Sequence, residues 1–179
     1  MPFPIVALIG PSGSGKTTLI LKLVAQHPER FAVLRSFTTR AWREPQDDVF
    51  YECISHAEFE RRRDAGLLLP FTKYAGNVYG NVRAEVEEAR RSHIPLLALI
   101  EEAAHNFRSE GYPLISIGVI PRGEKFAPRP DPLRTIEDAA RAQDTLVLHG
   151  TVVNSFDPGG LDRAVADLLR IIDASLPHQ

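Results

Sequence analysis

The sequence predicts an α/β fold in three layers, with a parallel sheet between two layers of helices and a small β subdomain inserted into it. Three observations carry this expectation. Short apolar runs of the buried-strand type (5–9, 96–100, 114–120) alternate with amphipathic segments of helical period. Between the first run and the first amphipathic segment stands a complete GxxxxGK[ST] loop, Gly10-Pro11-Ser12-Gly13-Ser14-Gly15-Lys16-Thr17. A polar, hairpin-like stretch at 36–80 then interrupts the alternation. Strand, glycine loop and helix in that order are the context of a P-loop nucleotide-binding fold.

Taken in order, a strand over about 4–9 feeds the loop and a helix over about 15–26, whose Leu19, Ile20, Leu23 and Val24 share one face. Residues 31–34 read as a second short strand. Residues 40–48 are polar and turn-like, and 49–54 suit another strand. Ser55 and Glu58 form a capping box, and the helix they start should stop at Gly66. Residues 67–69 and 74–79 flank a Gly76-Asn77 turn, the pattern of a hairpin. A helix over about 81–92, a strand over 96–100, a helix ending near Gly111 and a strand over 114–120 follow. Residues 121–132 hold four prolines and should lack regular structure. A helix over about 133–143, a strand over 145–153 and a last helix over about 160–174 complete the pattern. The core should therefore comprise 1–35 and 82–179, with the insertion at about 36–81.

The loop has a direct chemical reading. Its glycines let backbone N–H groups turn inward around phosphate oxygens, and the helix N-terminus adds a partial positive charge. Gly10 to Thr18 would hold the triphosphate of ATP, Lys16 would reach its β- and γ-phosphates, and the Thr17 hydroxyl would help hold Mg²⁺. A formal net charge of −2 argues against a general nucleic-acid binder. One cysteine, Cys53, forms no internal disulfide and suits a cytoplasmic protein. No signal peptide or membrane span is expected. Arg61-Arg62-Arg63 reads as a solvated helix face, and the six histidines show no zinc-ligand spacing. Trp42 could stack on an acceptor ring or cover the subdomain core.

Further segments carry a resemblance. The loop, then Ser36-Phe37-Thr38-Thr39-Arg40-Ala41-Trp42-Arg43, then Tyr51, then Gly76-Asn77-Val78-Tyr79-Gly80, together resemble the guanylate kinase family, and residues 152–154 and 161–165 resemble its final strand and helix. The resemblance implies an ATP- and Mg²⁺-dependent kinase whose inserted subdomain binds a phosphate-bearing acceptor. It implies that Ser36, Arg40, Arg43, Tyr51 and Tyr79 grip the acceptor phosphate, that Lys16, Arg40 and Arg43 carry the transfer, and that Asn154 lies near the adenine. Two guanidinium forks and several hydroxyls are chemically apt for a phosphate dianion.

Three positions depart from the family pattern. Pro70 stands where the family has a glutamate that recognises guanine, and Asn81 replaces a small hydroxyl residue that touches the base. Ala98-Leu99-Ile100 replaces an Asp-x-Asp pair, so Glu101 or Glu102 takes over that role or simply complements the first turn of a helix. The family's arginine-bearing lid corresponds to about 121–142, where Arg122, Lys125, Arg129, Arg134 and Arg141 stand at a different spacing. The acceptor thus stays open between GMP, another nucleoside monophosphate and a sugar phosphate of the ribose 1,5-bisphosphate kind. A catalytically weak nucleotide-binding or interaction module of the same fold is the alternative. The oligomeric state stays open between monomer and homodimer.

Overall fold

The structure is a computed structural model that describes residues 1–43, 45, 47–123 and 147–176. β1 (Ile5–Ile9) leads through the glycine loop into α1 (Lys16–Gln26) and then β2 (Phe31–Val33). β3 (Ser36–Thr38), a helical turn α2 (Asp47–Phe50), β4 (Tyr51–Cys53), α3 (His56–Asp64), β5 (Thr72–Tyr74) and β6 (Asn77–Gly80) follow. Then come α4 (Arg83–Ser92), β7 (Ile94–Leu99), α5 (Glu101–Ser109), β8 (Leu114–Arg122), β9 (Gly150–Ser155) and α6 (Gly160–Ser175).

Five strands form one parallel sheet in the order β2-β7-β1-β8-β9. The period of two along β1 sorts its side chains between two cores. Val6 and Leu8 pack with Leu19, Ile20 and Leu23 of α1 and Val165, Leu168 and Ile172 of α6. Ile5, Ala7 and Ile9 pack with Val86 of α4 and Ala104 and Phe107 of α5. Helices on both faces of a buried parallel sheet give the three layers expected. Ile9 pairs in register with Leu99 of β7 and Gly118 of β8, so the glycine loop emerges at the carboxyl edge of the sheet, between its neighbours. That edge is where open α/β sheets bind ligands.

The second sheet, β4-β3-β6-β5, is built from residues 36–80 and is mixed, with β3 and β4 parallel and β6 antiparallel to both β3 and β5. Phe37, Phe59 and Val78 form its own small core, with Phe59 against Phe71 at 4.8 Å between ring centroids. Ser55 caps α3, its Oγ accepting from the Glu58 N–H at 3.1 Å, an interaction worth about 1 kcal/mol.

The chain departs from the sequence pattern at identifiable places. Residues 47–50 form a helical turn, so Val49 and Phe50 are helical where a strand over 49–54 was expected, because Asp47 and Phe50 turn inward and are buried. The hairpin turn lies at Ala75-Gly76, one residue earlier than expected. Both residues have positive φ (50° and 74°), as a two-residue type I′ turn requires. Residues 67–69 make only a bridge from Leu68 to Val82. Pro121 and Arg122 continue β8 rather than leaving it. β1 stops pairing at Gly118, so a missing N–H at Pro121 costs no bond on that side. The last strand begins at Gly150 rather than 145. Glu58 does not complete the capping box, since its carboxylate accepts from Arg61 and Arg62, which hold it down to a pKa of about 2. Arg62 is not a solvated residue either, for it grips Glu52 with two bonds of 2.7 and 2.8 Å and ties α3 to β4. The helix expected at 133–143 lies outside the described residues.

Candidate functional site

The glycine loop is shaped by its neighbours as well as by its own sequence. Gly15, at φ 86°, begins α1, and a Cβ there would stand 2.2 Å from the Asn154 side-chain nitrogen. Only glycine fits both the left-handed backbone and this close approach. Asn154, on β9 and 3% exposed, donates from Nδ2 to the Ser14 carbonyl at 2.9 Å. The start of α1 has no side-chain cap and no acidic residue in its first turn, so its amide end is left for an anion. Lys16 folds over the loop, donating to the carbonyls of Gly10 at 2.7 Å and Pro11 at 2.9 Å. Burial lowers its pKa from the ordinary lysine value to about 8. Gly15, Thr18, Asn154, Ser155, Phe156, Asp157 and Leu161 line a pocket of about 230 Å³ beside the loop.

The second group gathers on β3, β4, β6 and the turn after β3. Arg40, 9% exposed, donates from Nη2 to Asp47 Oδ2 at 2.9 Å and from Nη1 to the Ala41 carbonyl at 3.1 Å. Its guanidinium lies 5.3 Å from the centre of the Tyr51 ring, close enough for a cation–π contact. Burial works against the Arg40 cation, but the hydrogen bond and charge of Asp47 outweigh it and leave the pKa raised. The rings of Tyr51 and Tyr79 meet edge to face at 6.0 Å. Burial raises the pKa of both phenols, so both stay neutral donors, although Arg40 pulls the other way on each. The Arg43 side chain is exposed, and its charge is felt at Tyr79.

Ser36 is 8% exposed and pairs with the buried Asn81, whose Nδ2 donates to Ser36 Oγ at 3.1 Å and to the Arg35 carbonyl at 2.9 Å. Asn81 is thereby turned toward Ser36. Pro70 is exposed, between the buried Leu69 and the half-buried Phe71. Glu101 and Glu102 sit half-buried in the first turn of α5, at the same sheet edge as the loop. Trp42 is 57% exposed and does not plug the subdomain core. Arg122 ends β8 and is exposed, while Lys125, Arg129, Arg134 and Arg141 lie outside the described residues.

Sequence reasoning missed two residues here. Asp47 lay in a stretch read only as polar and turn-like, and Thr38 was named only as a member of the 36–43 motif, with no role of its own. Thr38 is fully buried, and its Oγ1 accepts from the Arg40 N–H at 3.1 Å. An acidic residue seven positions after Arg40 was the only available signal for Asp47.

A parallel sheet with a lysine-bearing phosphate loop after its central strand, and an inserted sheet holding a buried arginine among tyrosines, defines a P-loop nucleotide-binding protein with a second polar cluster. Comparison with known proteins narrows the class. The family model described as guanylate kinase matches residues 3–120. A guanylate kinase of Symbiobacterium thermophilum is 34% identical over 185 residues, covering 95% of this chain and 84% of that protein. A Synechococcus guanylate kinase is 39% identical over 116 residues, covering 64% of this chain and 60% of the relative, and guanylate kinase 1 of rice is 37% identical over 121 residues, covering 65% and 31%. The chain thus spans between about a third and three fifths of the length of these last two relatives. The solved guanylate kinase of Anaplasma phagocytophilum superposes with a TM-score of 0.72 at 24% identity, covering 99% of this chain and 88% of that one, a likeness of fold. The chain belongs to the guanylate kinase family. Among the described residues no helix is long and apolar enough to cross a membrane.

Proposed function

We propose that the protein transfers the γ-phosphoryl group of ATP to the phosphate of GMP, with residues 36–81 as the acceptor-binding subdomain. The observation that carries this reading is Arg40, a nine-tenths buried cation beside neutral tyrosine hydroxyls in a chain whose phosphate loop is intact. A buried cation of this kind serves an anion better than it serves stability.

Phosphoryl transfer asks of a protein in-line positioning, charge neutralisation and exclusion of water. The loop amides and the start of α1 hold the β- and γ-phosphates. Lys16 exchanges its two loop carbonyls for phosphate oxygens. Asn154 keeps the loop backbone in shape and borders the pocket offered to the nucleoside of ATP. Arg40 and Arg43 grip the acceptor phosphate from one side, while Ser36, Tyr51 and Tyr79 donate hydroxyl hydrogens to its remaining oxygens. Among the described residues no group of three or more acidic, histidine or cysteine side chains forms a metal site by itself. The half-buried Thr17 hydroxyl is a hard oxygen donor suited to Mg²⁺ shared with the triphosphate. The ion, when bound, neutralises charge on the β- and γ-oxygens.

The test is an ATP/Mg²⁺ assay against GMP, dGMP, AMP, UMP and CMP. Pro70 offers guanine no side-chain acceptor, so one hydrogen bond of discrimination fewer is expected. The kcat/KM for GMP should still exceed that for AMP, by about tenfold, the equivalent of about 1.4 kcal/mol. Equal use of all five acceptors, or no transfer to GMP, overturns the reading.

The lowered Lys16 pKa gives a second expectation. A bound polyphosphate favours the charged amine and raises its pKa above about 8. Binding then takes up protons between the free and bound values, and ATP affinity falls as pH rises above 8. Calorimetry at pH 8.5 in two buffers of different ionisation enthalpy should report net proton uptake, and none after Lys16→Ala.

A further inference from the structure

Asp47 is the buried acid that faces the acceptor cluster, and the transfer chemistry makes no direct use of it. Its side chain is 12% exposed, and one oxygen, Oδ2, does two things. It accepts from Arg40 Nη2 at 2.9 Å and from the backbone N–H of Arg43 at 2.8 Å. Arg40 is further fixed at the Ala41 carbonyl and over the Tyr51 ring, and its own N–H is held by Thr38. A guanidinium has five N–H groups. Two are directed to Asp47 and Ala41, so a planar fork is oriented before any ligand arrives.

We infer that Asp47 is a positioning residue for the acceptor clamp, using one carboxylate oxygen to set the Arg40 guanidinium and the turn that carries Arg43 in register with each other. The inference rests on the acceptor-clamp reading of Arg40 and Arg43 given above. A free arginine side chain loses rotamer entropy when it grips a ligand, and presetting it removes that cost from binding. The backbone bond to Arg43 matters equally. Arg43 is exposed and owes its place to the turn, and Asp47 ties the turn to the same atom that holds Arg40. Two arginines separated by three positions thus answer to one acid.

The test compares Asp47→Asn, which keeps shape and loses charge, with Asp47→Ala and Asp47→Glu in the full chain, each also combined with Arg40→Ala. KM for GMP should rise at least tenfold in Asp47→Ala and less in Asp47→Glu, while KM for ATP changes less than twofold. In the Arg40→Ala background the Asp47 substitution should add less than threefold to KM for GMP, because a positioning residue acts through the residue it positions. An unchanged KM for GMP, or the same penalty in both backgrounds, overturns the inference. If the wild-type protein does not phosphorylate GMP, the acceptor reading falls by itself, and ¹⁵N-arginine spectra decide the positioning. Resolved Nη signals for Arg40 in the wild type that merge in Asp47→Asn support it, and identical spectra overturn it.

Discussion

Lys16→Ala is expected to reduce phosphoryl transfer from ATP by about 10³-fold or more, a loss of about 4 kcal/mol of transition-state stabilisation. The size follows from where the amine sits. Lys16 reaches the carbonyls of Gly10 and Pro11 across the mouth of the loop, in a setting dry enough to lower its pKa to about 8. A charge held in such surroundings interacts strongly with phosphate oxygens because little water screens it. Alanine leaves α1 and its amide end intact, so ATP binding should weaken less than turnover. Single-turnover rates and calorimetric ATP affinity, measured together, check both halves. Wild-type turnover in the variant would remove the loop from the mechanism.

Arg40→Ala is expected to have the second-largest effect, and to divide differently. KM for the acceptor should rise about 10²-fold and kcat should fall, with ATP affinity unchanged, because the clamp and the loop lie on different sheets. Stability should fall as well, by about 3 kcal/mol, since the substitution leaves Asp47 without its buried cationic partner. Thermal unfolding in the absence of ligands separates this cost from the kinetic one. Arg40→Lys restores charge but not the planar fork, and should recover stability better than acceptor affinity. Acceptor kinetics like the wild type in Arg40→Ala would show the clamp to be wrongly assigned.

How much of this was legible in the sequence depended on how local each cause is. β1, the loop and α1 follow from a contiguous pattern in which strand, glycines and helix face all lie within 22 residues, and the structure has them as read. The hairpin slipped by one residue because Ala75 adopts a positive φ that composition would assign to glycine or asparagine. Residues 49–50 were misread as strand because apolar Val49 and Phe50 look strand-like beside Tyr51, whereas the path is set by Asp47 turning inward to Arg40. A buried charge is legible only when its partner is known to be near, and no period or motif announces that. Asn81 shows the same thing, as its amide is used by Ser36 and the Arg35 carbonyl, 45 and 46 residues away in sequence.

The bond from Asn154 to the Ser14 carbonyl spans 140 residues. It joins the loop after β1, the first strand of the five-stranded sheet in chain order, to β9, the last. A growing chain can form β1 and α1 early, but the support beneath Ser14 arrives only when β9 docks beside β8. A nucleotide bound by the finished loop would therefore tie β1 to β9 as well, and its binding would be expected to stabilise the whole five-stranded sheet.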